Sequence, residues 1–242
     1  MRLAGRDVGG LLPGAQGRLA LAFLTLNRDA GATRAALSAA LWGEEPPPEQ
    51  GTALRALLSK LRRALADAGE QTLLAGDLLR LRLPREAWVD VEAAVRALHD
   101  AQAAVAQGQD VRAWIASHVA LNISARTFMP GDDSDWVIER RVELADVQVQ
   151  ALEALAACSV RLGGPELDTA VRASRRLVSL ARFRETGYGW LMRALAAQGN
   201  TAEALLAYDT LRVVLRDELG AFPSSELQAL HASLLNPRAS DT

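Results

Sequence analysis

The chain has 242 residues, 50% of them hydrophobic and 23% charged, with a formal net charge of −2 at pH 7. This composition is typical of one large or two medium globular domains, and it excludes a disordered tail, a collagen repeat and a disulfide-stapled miniprotein. Alanine occurs 46 times and leucine 40 times, whereas aromatic residues make up only 5% of the chain. Because strong helix formers dominate, we expect a mainly α-helical protein.

The charge is distributed unevenly along the chain. Residues 1–85 carry a net charge of +4, and residues 86–242 carry a net charge of −6. Only the N-terminal part is therefore suited to contact a polyanion.

The sequence predicts a cytoplasmic protein without membrane association. Its longest uninterrupted apolar stretch, residues 19–24, is far shorter than the roughly 20 residues that a bilayer span needs. No basic segment leads into an apolar signal core at the N-terminus. The single cysteine, Cys158, cannot form an internal disulfide and lies among leucine and alanine, so we expect a small buried side chain.

Residues 1–86 predict three helices followed by a β-hairpin. Glycine and proline in the first 16 residues allow only a brief strand pair. Helices are predicted over residues 17–27, 33–42 and about 49–68, with the Thr33 hydroxyl as the N-cap of the second. Residues 73–84 contain a Gly-Asp break followed by strict alternation, which indicates a hairpin. This order is typical of a winged helix-turn-helix domain.

The third predicted helix has two distinct faces. Leucines at 54, 58, 61 and 65 fall within a narrow arc, so this side is expected to face a core. If the opposite side enters a DNA major groove, the candidates for contacts with base edges are Thr52, Arg55, Ser59 and Arg62. The candidates for phosphate contacts are Lys60, Arg63, Arg80 and Arg82. The alternative is that these side chains form an ordinary solvated surface. For Arg80 and Arg82 the sequence favours neither phosphate contact nor this alternative.

From residue 87 onward the pattern predicts about seven consecutive helices. The breaks fall at Gly108, at residues 128–134, at 163–165, near Arg184, at 199–200 and at 220–223. The spacing between the breaks at 163 and 199 is close to the 34-residue period of tetratricopeptide repeats. We therefore expect a TPR-like α-helical repeat domain, with tryptophans as packing anchors here and in the N-terminal part: Trp42, Trp88, Trp114, Trp136 and Trp190.

Residues suited to catalysis or metal binding are scattered. The histidines His99, His118 and His231 have no cysteine or carboxylate at metal-ligand spacing. A phosphate-binding loop is not present, since the one lysine, Lys60, has no glycine nearby. We therefore expect a protein that is not an enzyme and that holds neither a metal nor a cofactor.

Two stretches together resemble the SARP-type transcriptional regulators. The first consists of residues 37–47 (LSAALWGEEPP), 53–55 (ALR) and 58–65 (LSKLRRAL), and the second includes 128–131 (FMPG), Trp136, 139–141 (ERR), 191–195 (LMRAL) and 215–220 (LRDELG). The resemblance implies an OmpR-type winged helix that binds double-stranded DNA, over residues 1–86, and a TPR-like bacterial transcriptional activation domain, over residues 87–242. It further implies an activator that recruits RNA polymerase. We expect a homodimer on directly repeated half-sites about one helical turn apart.

The N-terminal part departs from the family pattern, and this leaves a second hypothesis. Residues 1–16 are too short for the full N-terminal sheet, Asp77 stands where a hairpin tip would approach phosphate, and acidic residues flank the third helix at Glu44, Glu45 and Glu49. The proline-rich loop 43–48 either contacts polymerase or is a simple connector. The alternative function is a protein-interaction adaptor that does not bind DNA and whose helical repeats hold a partner protein. Neutralisation of the third helix by Glu44, Glu49 and Asp77 would favour it.

Overall fold

The computed structural model describes residues 2–3, 6–7, 12–67, 73–75, 78–83 and 87–236. Within these ranges the strands are β1 (Arg2–Leu3), β2 (Arg6–Asp7), β3 (Leu73–Ala75) and β4 (Leu79–Leu81). The helices are α1 (Gly14–Leu26), α2 (Arg34–Trp42), α3 (Gln50–Asp67), α4 (Asp90–Ala106), α5 (Asp110–Ser124), α6 (Asp135–Leu162), α7 (Glu166–Leu180), α8 (Glu185–Ala197), α9 (Thr201–Leu219) and α10 (Ser225–Leu235). The predicted mainly α fold class is confirmed. In the described part of the chain, no helix combines the length and the apolar composition that crossing a bilayer requires.

The chain divides into two compact units. The N-terminal unit comprises Met1–Trp88 together with Thr127–Arg141, and the helical unit comprises Val89–Arg126 together with Val142–Thr242. The sequence analysis assigned residues 127–141 to the repeat domain, whereas in the structure they pack within the N-terminal unit.

The N-terminal unit is built on helices α1–α3 and the β3–β4 hairpin. Its brief strand pair, β1 with β2, is antiparallel, as the sequence predicted. The Thr33 hydroxyl accepts from the Ala36 amide at 3.0 Å and caps α2, which confirms that prediction too. The core includes buried side chains from the three helices and both hairpin strands, and one from α6: Leu19, Leu21, Leu24, Leu37, Leu41, Leu54, Leu58, Leu61, Leu65, Leu73, Leu79, Leu81 and Val137.

The helical unit consists of α4, α5, most of α6, and α7–α10. Helix α4 packs on α5, α7 on α8, and α8 on α9, so sequence neighbours pair as in a helical repeat protein. The predicted breaks coincide with the helix ends; after α9, for example, Gly220 adopts a left-handed φ of 62° and ends the helix.

The cysteine and four of the tryptophans behave as predicted, and one tryptophan does not. Cys158 is fully buried, its thiol donates to the Leu155 carbonyl at 3.3 Å, and burial raises its pKa to about 11. Partly buried tryptophans pack against the cores at positions 42, 136, 114 and 190. The prediction for Trp88 was wrong: this side chain is 66% exposed, because it lies in the non-helical segment before α4 and not on a helix face.

Candidate nucleic-acid interface

Helix α3 carries a leucine face that is almost completely removed from solvent. Leu58, Leu61 and Leu65 are at most 2% exposed, and Leu54 and Leu57 are 5% and 7% exposed. Burial of such side chains contributes about 1.5–3 kcal/mol each. The orientation of α3 about its own axis is therefore fixed by its apolar side, and the polar side is directed to solvent.

The polar side of α3 presents the predicted cations. Exposed side chains on this side include all six predicted positions: Thr52, Arg55, Ser59, Lys60, Arg62 and Arg63. The Arg55 guanidinium reaches back along the helix, where Nε donates to the Gly51 carbonyl at 3.1 Å and Nη2 to the Thr52 hydroxyl at 3.3 Å. In the described part of the chain, no carboxylate forms an ion pair with Arg55, Lys60, Arg62 or Arg63. These charges are available to an external polyanion.

The described acidic residues near α3 form no ion pair with its cations. Glu44, Glu45 and Glu49 are exposed, and within the described ranges none of them pairs with an α3 cation. Asp77, the acidic residue expected at the hairpin tip, lies outside the described residues. Direct pairing of the α3 cations is therefore not observed among the carboxylates that the structure describes.

The β3–β4 hairpin presents two more arginines from a fixed strand. Leu79 and Leu81 are buried, while Arg80 and Arg82 are exposed, in agreement with the predicted alternation. The strand is also tied to the α1–α2 connection by two backbone hydrogen bonds between Ala32 and Leu79, of 2.9 and 2.8 Å. The hairpin thus shares the α1–α3 core and has its own hydrogen-bonded anchor.

The beginning of α3 is linked to α2. The Gln50 side-chain amide donates to the Ser38 hydroxyl, and the Glu45 amide donates to the Trp42 carbonyl at 3.1 Å. The 43–49 connection is therefore hydrogen-bonded to α2 both near its start, through Glu45, and just after its end, through Gln50. The positions of α2 and α3 are therefore coupled by polar contacts as well as by their shared core.

Residues 127–141 complete the N-terminal unit, and sequence reasoning missed this role. The Trp136 indole Nε1 donates to the Ala40 carbonyl of α2 at 3.0 Å. Its ring meets Phe23 of α1 edge-on at 5.3 Å and Phe128 at 5.9 Å, measured between centroids. Val137 is fully buried in the same core.

Arg141 organises the loop that precedes α6. Its guanidinium donates to the carbonyls of Phe128 at 2.9 Å, Met129 at 2.7 Å and Asp132 at 2.6 Å, and to the Asp133 carboxylate at 2.8 Å. Met129 adopts a φ of 45°, which is uncommon for a residue with a side chain. In the sequence analysis, Phe128, Trp136 and Arg141 served only as part of the similarity to the activation domain, and no structural role was predicted for them.

Two of the three histidines, His118 and His231, contact neighbouring aromatic residues, whereas His99 is exposed. His118 Nδ1 lies 2.9 Å from the Trp114 carbonyl, and the His231 ring stacks on Tyr208 with 4.1 Å between centroids. Among the described residues, histidine, cysteine and carboxylate side chains form no cluster that could hold a metal ion.

Comparisons with known proteins point to transcriptional regulators. The family model described as "Bacterial transcriptional activator domain" matches residues 89–235. The regulatory protein AfsR of Streptomyces coelicolor is 32% identical over 91% of this chain, which spans 22% of that protein. The transcriptional regulatory protein MoaR1 of Mycobacterium tuberculosis is 25% identical over 90% of this chain and 71% of its own. A solved structure of M. tuberculosis EmbR in complex with a low affinity phosphopeptide superposes with a TM-score of 0.79 and 26% identity, over 92% of this chain and 59% of that one. Of these relatives, AfsR is much longer than this chain, which spans only about a fifth of its length.

Proposed function

Because the chain belongs to the bacterial transcriptional activator domain family and is a SARP-type regulator, we propose that it binds double-stranded promoter DNA and activates transcription. The DNA-binding part is a winged helix-turn-helix over residues 1–86, completed by residues 127–141. The remainder of 87–242 contacts partner proteins. The proposal requires no cofactor and no catalytic residue, and it places the protein in the cytoplasm, where bacterial promoters are found.

The observation that carries the proposal is the pair of faces on α3. A buried leucine side fixes the helix, and the opposite side presents four cations that form no ion pair with the described carboxylates. A helix of this kind fits the major groove, where arginine donates to guanine O6 and N7. In this arrangement Thr52, Arg55, Ser59 and Arg62 contact base edges. Phosphates are contacted by Lys60, Arg63, Arg80 and Arg82.

Activation requires a contact with RNA polymerase in addition to DNA. The loop 43–48 is suited to this contact because it is largely exposed, carries Glu44 and Glu45, and is stiffened by three prolines. Two copies of the chain would occupy directly repeated half-sites about one helical turn apart.

The experiment is a DNA-binding titration with charge-matched variants. Sequencing of genomic DNA retained by the wild-type chain first defines a preferred duplex, and fluorescence anisotropy then measures its affinity. The double variant Arg55→Ala/Arg62→Ala should bind at least about 30-fold more weakly, since each arginine-guanine pair contributes about 1–3 kcal/mol of discrimination. Arg172→Ala/Arg176→Ala on α7 removes the same charge from an exposed face of the helical unit and should leave the affinity within about 2-fold. Equal losses in the two variants would contradict the proposal.

A protein-interaction adaptor remains the second candidate, and one surface feature favours it. Val111, Ile115 and Val119 recur every four residues along α5 and are 63%, 55% and 43% exposed. They line an open groove on the α4–α5 hairpin. An apolar stripe of this kind is typical of a protein contact. If the chain acts as an adaptor alone, binding to any duplex is weak and insensitive to salt.

A further inference from the structure

The C-terminal end of α2 is capped by a side chain that lies 96 residues later in the chain. The last four carbonyls of a helix have no partner inside the helix and must be satisfied from outside. At the end of α2, the Gly43 amide donates to Ala39 at 2.8 Å and the Glu45 amide donates to Trp42 at 3.1 Å. The Ala40 carbonyl accepts the Trp136 indole N–H instead. Trp136 therefore acts as a C-terminal cap for α2.

The cap is held in place from two sides. Phe23 and Phe128 contact the indole with perpendicular rings, so the plane of the indole is fixed. Phe128 in turn belongs to the loop whose three carbonyls and one carboxylate bind the Arg141 guanidinium. A planar fork with five N–H donors suits this convergence of acceptors, and a lysine ammonium does not reproduce it.

The capped end of α2 leads directly into the connection that sets α3. Only residues 43–49 separate the two helices, and both ends of this connection are hydrogen-bonded. A displacement of the α2 terminus is therefore transmitted to the first turn of α3, which carries Thr52. In a recognition helix, a small misplacement affects base contacts more than phosphate contacts, because only base contacts depend on a fixed register.

We propose that Trp136 and Arg141 are positioning residues for sequence-specific DNA binding, with Trp136 fixing the end of α2 and Arg141 fixing the loop that supports Trp136. The part of this inference that concerns DNA affinity rests on the proposed function. Both residues lie within 89–235, the range that matches the activator-domain family model. In this proposal they nevertheless contribute to sequence-specific DNA binding.

The test compares Trp136→Phe with Trp88→Phe in the 242-residue chain. Trp136→Phe retains an aromatic ring but removes the N–H donor, whereas Trp88 is 66% exposed and serves as a matched control. Affinity is measured for the preferred duplex and for a random duplex, at a temperature where circular dichroism shows each variant folded. Trp136→Phe should lower affinity for the preferred duplex about 10-fold, as expected for one buried hydrogen bond, and affinity for random DNA by less than about 2-fold. Trp88→Phe should change neither.

Arg141→Lys provides a second variant that retains the charge. It should lower the ratio of specific to random affinity in the same direction as Trp136→Phe, and a ratio equal to wild type in both variants would overturn the proposal. A uniform loss on both duplexes would also overturn it, because that result indicates general destabilisation.

Hydrogen exchange separates this inference from the proposed function. The Gly43 and Glu45 amides should exchange faster in Trp136→Phe than in wild type or Trp88→Phe, whether or not DNA is present. If wild type prefers no duplex, the proposed function fails, and faster exchange at these two amides would still support positioning of α2. Unchanged exchange in Trp136→Phe would overturn the positioning role regardless of the DNA result.

Discussion

If the chain binds DNA as proposed, the exposed cations of the N-terminal unit should set the salt dependence of that binding. Four of them are assigned to phosphates: Lys60 and Arg63 on α3, and Arg80 and Arg82 on and beside β4. In the described part of the chain none of the four forms an ion pair, so no ion pair among these residues has to break on binding. Each phosphate contact on B-DNA contributes about −0.9 to the slope of log K against log salt, which gives a slope of about −3.6.

The perturbation removes two of these contacts without altering the core. Arg63→Gln/Arg82→Gln replaces exposed side chains, one on each element, and should change the slope to about −1.8. For wild type the affinity should fall about 150-fold between 50 and 200 mM salt, whereas for the double variant it should fall only about 12-fold. Arg172→Gln/Arg176→Gln on α7 is the control with an equal change in net charge, and its slope should match wild type.

Fluorescence anisotropy on one labelled duplex at four or more salt concentrations measures all three slopes. A wild-type slope shallower than about −1 would refute the assignment of four phosphate contacts and favour the adaptor function. Equal slopes in the two double variants would show that overall charge, and not the face formed by α3 and the hairpin, determines binding.

Three further predictions concern stability and reactivity. Leu61→Ala, at a fully buried position of α3, should lower the free energy of unfolding by about 2–5 kcal/mol in urea titrations, whereas the exposed Ser59→Ala should change it by less than about 0.5 kcal/mol. Gly31→Ala should cost about 1–2 kcal/mol, because Gly31 has a φ of 78° and a new Cβ would lie 3.1 Å from Arg80 Cγ. Since burial raises the pKa of Cys158 to about 11, the thiol is protonated at pH 8 and should react with a disulfide reagent only after unfolding in urea. Rapid reaction in the folded state would show that burial is incomplete.

The bounds and both faces of α3 could be predicted from the sequence. The interval of three or four residues between leucines defines a helical stripe. The observed helix, Gln50–Asp67, begins one residue after the predicted start at 49, and the predicted last residue, 68, lies outside the described residues. Leu57 was not assigned to the buried face, although it lies one turn before Leu61 and is only 7% exposed. The apolar stripe is wider than the narrow arc drawn from four leucines, as is usual for a helix packed in a globular core.

Contacts with backbone carbonyls could not be predicted in the same way. Every residue carries a carbonyl acceptor, so nothing in the sequence indicates that the Trp136 N–H would find Ala40. Arg141 is similar, because three of its four acceptors are backbone oxygens. In the Ala32–Leu79 pairing, the α1–α2 connection contributes a single residue. A strand is recognised in a sequence by alternating apolar and polar residues, and one residue shows no alternation.

These unpredicted contacts bear on where the proposed DNA-binding part ends. A division at residue 86 leaves Val137, which is fully buried in the core of the N-terminal unit, outside that unit. Loss of this side chain removes about 1.5–3 kcal/mol of apolar burial, and loss of the Trp136 bond leaves the Ala40 carbonyl without its partner, at a further cost of about 1–3 kcal/mol. The sum of about 2.5–6 kcal/mol is a large share of the 5–15 kcal/mol that typically stabilises a folded domain. The stability of the unit that presents α3 therefore depends on residues that follow α4 and α5 in the chain, and sequence order alone does not mark its limits.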